Sequence, residues 1–163
     1  MVVVSNTSPL TNLSAIGQFV LLQKLFGEIQ IADGVWQELN AGGRRHPGSR
    51  EVEEASWIHR TAVGNSSLVT ALRRDLDLGE AETLVLGLEL DADLILVDEK
   101  EGRHMAYRLG LRPLGTLGVL LEAKRKKQIE EVRHLLEALR LQAGFYLRED
   151  LFLKVLAMAG EKP

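Results

Sequence analysis

Val2-Val3-Val4-Ser5-Asn6-Thr7-Ser8-Pro9-Leu10 decides the fold of this chain. A β-branched apolar run stops abruptly at small polar and turn-forming residues. Such a run reads as a strand covered on both faces, the pattern of a parallel sheet. Strands of this kind deliver polar side chains to their carboxyl ends, where open α/β sheets place their ligands. Pro9 suits the first turn of a helix, where its missing N–H costs nothing. Leu10, Leu13 and Ile16 follow at helical spacing and Gly17 closes the segment.

Working outward, strands and helices alternate with no internal repeat. Phe19–Phe26 reads as a second helix ending at Gly27. Ile29–Ala32 is a short strand, after which Asp33 is placed to cap the helix Val35–Leu39. Ala41-Gly42-Gly43-Arg44-Arg45-His46-Pro47-Gly48 is the clearest loop. A helix over Glu51–Ala55 leads into Trp57–Val63, which alternates like an exposed edge strand. Ser66–Leu76 and the stronger Gly79–Leu90 read as helices, and Leu94–Val97 as the cleanest strand. Gly102–Leu109 is helical and stops at Gly110. Leu111–Leu114 is a short strand, and Leu117–Lys127, Ile129–Leu141 and Asp150–Ala159 are three further helices. The β-α-β alternation predicts α/β architecture: a three-layer sandwich with a central, mainly parallel sheet of about five strands and right-handed crossovers.

The length of 163 residues suits one domain, 1–163, with a core that needs no staples. The helices within 129–159 either pack on it or form a dimer face. With 45% hydrophobic and 26% charged residues the composition is that of a globular protein. The absence of cysteine excludes a disulfide framework and thiolate chemistry. Apolar runs break well before about 18 residues, so no membrane span is expected. The opening residues lack the basic and apolar regions of a secretory leader, and the expected location is cytoplasmic. A net charge of −3 is not the footprint of a dedicated nucleic-acid binder, but leaves room for a local basic patch.

Four polar groups fall where strands end or helices begin: Asn6, Glu38, Glu80 and Asp98. In a parallel sheet the carboxyl ends of neighbouring strands converge on one rim. Carboxylates gathered there repel one another unless a cation sits between them. Oxygen donors without His or Cys favour Mg²⁺ or Mn²⁺ over zinc. The four histidines are scattered without metal-ligand spacing. Taken singly, Asn6-Thr7-Ser8 reads as a helix cap, Glu38 as a solvated charge, Glu80 as a macrodipole partner and Asp98 as a cap. Their coincidence on one rim favours a site.

The ordered set resembles a PIN domain, a nuclease fold of toxin–antitoxin toxins and RNA-processing enzymes. The resemblance rests on Ser5-Asn6-Thr7-Ser8, Val35-Trp36-Gln37-Glu38-Leu39, Gly79-Glu80-Ala81-Glu82 and Leu94-Ile95-Leu96-Val97-Asp98-Glu99 with Gly102-Arg103. Gly115-Thr116-Leu117-Gly118-Val119-Leu120-Leu121-Glu122-Ala123-Lys124 is similar to a PIN-like branch of bacteria and archaea. The resemblance covers nearly the whole chain. It implies a metal-dependent phosphodiesterase cutting RNA, with one or two Mg²⁺ or Mn²⁺ ions held by Asn6, Glu38, Glu80 and Asp98. It also implies a role as the toxin of a pair with a small antitoxin, and a homodimer. Asn6 departs from the family, which has Asp there. An amide oxygen binds a cation but brings no charge and no base, so weaker metal binding or an inactive RNA- or protein-binding module is the alternative.

Two positions need arbitration. Glu80 and Glu82 point about 200° apart on a helix, so both cannot face one ion. Glu80 is preferred, because it lies nearer the helix start. Asp98 is preferred over Glu99 because it directly ends its strand, leaving Glu99 an outer-sphere role. Ser8 and Arg103 are secondary candidates, Arg103 as a phosphate contact or as a partner of Glu99. Lys124-Arg125-Lys126-Lys127 reads mainly as a helix C-terminus complement, and Arg44-Arg45-His46 as a better phosphate contact. Other phosphate chemistries lack their motifs: there is no Asp-x-Asp after the first strand, no acidic pair of a receiver domain, and no Gly-rich phosphate loop.

Overall fold

The computed structural model describes residues 1–41 and 46–163. Arg44 and Arg45, expected in the phosphate-facing loop, lie outside the described residues. The order is β1 (Val3–Ser5), α1 (Thr7–Ala15), α2 (Val20–Phe26), β2 (Ile29–Ala32), α3 (Asp33–Leu39), α4 (Ser49–Glu54) and β3 (Ile58–Thr61). There follow α5 (Ser66–Leu72), α6 (Leu78–Glu89), β4 (Leu94–Leu96), α7 (Lys100–Arg108), β5 (Pro113–Leu114), α8 (Thr116–Arg125), α9 (Arg133–Gln142) and α10 (Glu149–Met158). The five strands form one sheet in the order β3-β2-β1-β4-β5, and every pair is parallel. The fold is thus the expected three-layer α/β sandwich, with the short, half-buried β3 on an edge.

Alternation along the strands sorts the core into two faces. Val3, Ile29, Ile31 and Leu96 join one cluster with side chains of α1, α2, α8, α9 and α10. Val4, Ala32, Ile95 and Val97 join the other, with α5, α6 and α7. Leu135, Leu136, Leu139, Phe152, Val155 and Leu156 belong to the first cluster, where α9 packs against α1 and α10 against α8. Gly17 and Gly110 stop their helices at φ +70 and +78, a conformation that glycine adopts without strain.

The connections reverse direction at β1, which pairs with β2 on one side and β4 on the other. The Asn6 amide extends this ladder by donating to Leu96 O at 2.8 Å. A crevice at such a switch point, outside the carboxyl ends of the strands, is the standard ligand position of open α/β sheets.

Three local expectations are corrected. Asp33 does not cap α3: it lies inside the helix and its Oδ1 accepts from Arg60 Nε at 2.6 Å. The buried amide of Gly34, in the first turn of α3, is met instead by Glu82 Oε1, at 3.1 Å. The helix expected from Ile129 begins only at Arg133, because tertiary partners take the preceding backbone groups. Lys124 Nζ donates to Glu130 O at 2.6 Å, and the Val132 amide donates to Glu161 Oε2 at 2.7 Å. The helix expected over Ser66–Leu76 is regular only to Leu72, ahead of the Asp77 cap of α6.

Candidate active site

Asn6 occupies the N-cap position of α1 yet makes no side-chain cap bond. It is 2% exposed. Its Nδ2 donates to Glu99 Oε2 at 3.3 Å, and its Oδ1 is buried with no hydrogen-bond partner. A buried acceptor left unmet costs about 1–3 kcal/mol. A cap and turn would have satisfied that oxygen, so the simple capping reading of Asn6 does not describe it.

The next two residues hold carboxylates. Thr7 Oγ1 donates to Glu38 Oε2 at 2.5 Å, and Ser8 Oγ donates to Glu99 Oε1. Glu38 reaches the rim from α3 because Gly79 has no side chain. A Cβ there would stand 2.3 Å from Glu38 Oε1. Burial raises the Glu38 pKa; the Thr7 bond opposes this, the Asp77 charge adds to it, the Gly79 amide opposes and Glu99 adds.

Glu80 opens α6, whose N-cap Asp77 accepts from the Glu80 amide at 2.8 Å. Its pKa is pushed up to about 8, first by burial, then by its side-chain bond to Asp77 and by the charges of Asp77, Glu99 and Glu38. Glu38, Glu80 and Glu99 therefore feel one another across the rim, beside Asn6.

Two sequence candidates stand elsewhere. Glu82 is 7% exposed and fastens α6 to the start of α3 through Gly34. Burial raises its pKa, the Gly34 bond opposes this, and the charges of Asp33 and Arg73 act in opposite senses. Asp98, preferred over Glu99 on the sequence, has its oxygens committed to the opening of α8. Oδ1 accepts the Thr116 amide at 2.7 Å; Oδ2 accepts Thr116 Oγ1 at 2.7 Å and Asn12 Nδ2 at 3.0 Å. Burial raises its pKa, opposed by the two Thr116 bonds. Gly115 makes room for it, since a Cβ there would stand 2.9 Å from Asp98 Oδ1.

Alternation explains the exchange. Leu96 faces the α1–α8 layer and Val97 the α6 layer, so Asp98 follows Leu96 and Glu99 follows Val97. The same count from Val4 sends Asn6 toward α6. Period two along 94–99 was the overlooked signal for Glu99, and Asp77 three residues before Glu80 was the signal for the cap. Arg103 is exposed and forms no ion pair with Glu99 among the described residues.

A cleft of about 380 Å³ borders the rim, lined by Thr7, Asn12, Glu38 and His46 among others. The basic run offers little to a ligand. Lys124 pairs with Glu161, while Arg125 and Lys126 pair with Glu122.

A family sequence profile described as a PIN domain matches residues 2–161. The chain is a PIN domain. No curated protein matches it. PIN domains have a nuclease-like fold that suggests RNA binding, and they generally use divalent metals. Among the described residues of this PIN domain, no three His, Asp or Glu side chains stand close enough to enclose a metal ion. The donor chemistry nonetheless fits a hard divalent cation: Glu38, Glu80 and Glu99 bring carboxylate oxygens, and Asn6 Oδ1 is an orphaned acceptor beside them. Among the described residues no helix of this PIN domain is long and apolar enough to cross a membrane.

Proposed function

We propose that the chain is a divalent-metal-dependent endoribonuclease whose site is Asn6, Glu38, Glu80 and Glu99. Glu99 takes the place that the sequence reading gave to Asp98. The observation that carries this is the unpartnered Asn6 Oδ1, buried beside carboxylates whose charges raise one another's proton affinity. A bound Mg²⁺ or Mn²⁺ would activate water and offset the charge that builds on the phosphodiester. Thr7 and Ser8 orient Glu38 and Glu99, and Gly79 keeps the Glu38 carboxylate in the opening. Glu80, whose proton affinity is raised by burial and by its acidic neighbours, would release a proton when a cation binds. All four side chains belong to one chain, so this site needs no second copy. A toxin role, a small antitoxin partner, a homodimer and a cytoplasmic location are finer readings of the same family that the site chemistry neither requires nor opposes.

Calorimetry with Mn²⁺, beside cleavage of a labelled RNA, tests the assignment. Glu99→Gln or Glu80→Gln is expected to weaken Mn²⁺ binding at least tenfold and to remove cleavage. Asp98→Asn is expected to leave Mn²⁺ affinity within about threefold, an effect below about 1 kcal/mol. The reverse pattern overturns the assignment of Glu99.

A second reading is favoured by one observation. Asn6 turns an N–H, not a charge, toward Glu99. An amide there weakens cation binding, and the chain then serves as a PIN-like RNA- or protein-binding module without turnover. Asn6→Asp separates the two. If the natural protein is inert and the variant gains both Mn²⁺ affinity and cleavage, the second reading stands.

A further inference from the structure

Unused chemistry is densest along α7 and α10. A groove of about 560 Å³ is lined there by Lys100, Arg103, Tyr146, Arg148, Asp150 and Lys154 among others. It shares Arg103 and Tyr146 with a second hollow, of about 250 Å³, which reaches Asp98 and Gly115 at the ends of β4 and β5. Together they form a trough from the sheet's carboxyl rim out across α10, and Lys100 directly follows Glu99 in the chain.

The charges in this trough differ from those of the other basic clusters. Arg148 is held by Asp150. Lys100, Arg103 and Lys154 have no carboxylate partner among the described residues. Tyr146 stands among them, 84% exposed, on the connection between α9 and α10. An exposed aromatic needs no explanation by itself. Framed by unpaired cations in a trough, it has the composition of a stacking platform with phosphate contacts. Bases in a duplex stack on each other and offer no free face to a ring, so the fitting ligand is an unpaired strand.

We propose that this trough holds single-stranded nucleic acid, with a base stacked on Tyr146 and neighbouring phosphates on Lys100, Arg103 and Lys154. It deepens the nuclease reading and rests on that reading for the kind of ligand, but the binding itself requires no metal. An acidic peptide would satisfy the cations and leave the ring unused.

Fluorescence anisotropy with the full chain in EDTA tests this, using labelled RNA and DNA strands of about 12 nucleotides and the matching RNA duplex. Both strands are expected to bind more tightly than the duplex. Tyr146→Ala is expected to weaken strand binding about tenfold, whereas Tyr146→Phe keeps it within twofold, because the ring and not the hydroxyl stacks. Joint Lys100→Ala and Lys154→Ala is expected to lower the salt slope by about 1.4, two phosphate contacts' worth on a single strand. Tighter binding of the RNA strand marks RNA as the ligand; equal binding supports a platform shared by both strands. A duplex bound as tightly, an unchanged Tyr146→Ala, or a polyglutamate that competes as well as the strand overturns the proposal. Tyr146-dependent binding without cleavage at any Mn²⁺ concentration overturns the nuclease reading and leaves the trough. Cleavage with Tyr146-independent binding overturns the trough alone.

Discussion

The proton affinity of Glu80 is displaced well upward by its burial and its acidic neighbours. Its folded pKa of about 8 lies above its ordinary 4.5, so the folded state holds a proton that the unfolded state has lost between those values. The stability linked to Glu80 is therefore fully present below about 4.5 and is lost as pH rises toward 8. Glu38, Glu82 and Asp98 are shifted the same way and add to the loss. In metal-free buffer Glu80→Gln is expected to melt higher than the natural protein at pH 8 and no higher at pH 4, as read by thermal unfolding across that range. A natural protein whose melting temperature rises from pH 5 to pH 8 contradicts the shift. The proton also competes with a cation, so Mn²⁺ affinity is expected to rise over the same interval.

At the scale of elements, the contact of α3 with α6 sets the site. Gly34 and Gly79 bring the two helices close: a Cβ on Gly34 would meet Gly79 Cα at 3.3 Å. This leaves space for Glu38 and lets Glu82 meet the Gly34 amide. Gly79→Ala places a methyl where the Glu38 carboxylate now lies. The obstructed atoms are the end of a flexible side chain, so the fold yields at little cost, and alanine favours the helix by up to about 1 kcal/mol. The expected result is a melting temperature near that of the natural protein with Mn²⁺ affinity reduced at least fivefold, measured by calorimetry. A loss of stability without a loss of affinity would place Glu38 outside the site. The β4–α7 corner works similarly. Asp98 fixes the start of α8, while the next residue, Glu99, turns to Ser8 and Asn6.

For the whole molecule, charge and core are arranged separately. Carboxylates gather at the switch point while Lys100, Arg103 and Lys154, without carboxylate partners among the described residues, line the adjoining trough, so a net charge of −3 conceals two local fields of opposite sign. The core extends to the last helices, since Leu136 is fully buried in the cluster that contains Val3 and Leu96. We expect residues 1–163 to unfold together. Leu136→Ala should cost about 2–5 kcal/mol and lower one common transition seen by circular dichroism and by tryptophan fluorescence. Two separated transitions, with the sheet's unmoved, would mark α9 and α10 as an independent unit.

The sequence by itself determined the layers. Apolar runs such as Val2–Val4 and Leu94–Val97, interleaved with helical periodicity, leave a parallel sheet covered on both faces as the arrangement that buries them. It also placed Asn6, Glu38 and Glu80 on the rim, because strand ends and helix starts can be read locally. Tertiary structure decided which oxygens are free. Asp98 and Glu99 are adjacent in the chain, yet one is consumed by Thr116 and Asn12, from 18 residues downstream and 86 residues upstream, while the other faces Asn6 and Ser8. Glu82 is likewise spent on Gly34, 48 residues away. The start of α9 was set by Lys124 and Glu161 and not by its own periodicity. A side chain's partners depend on which elements pack against it, and local spacing carries that information only through the alternation of a strand or the turn of a helix.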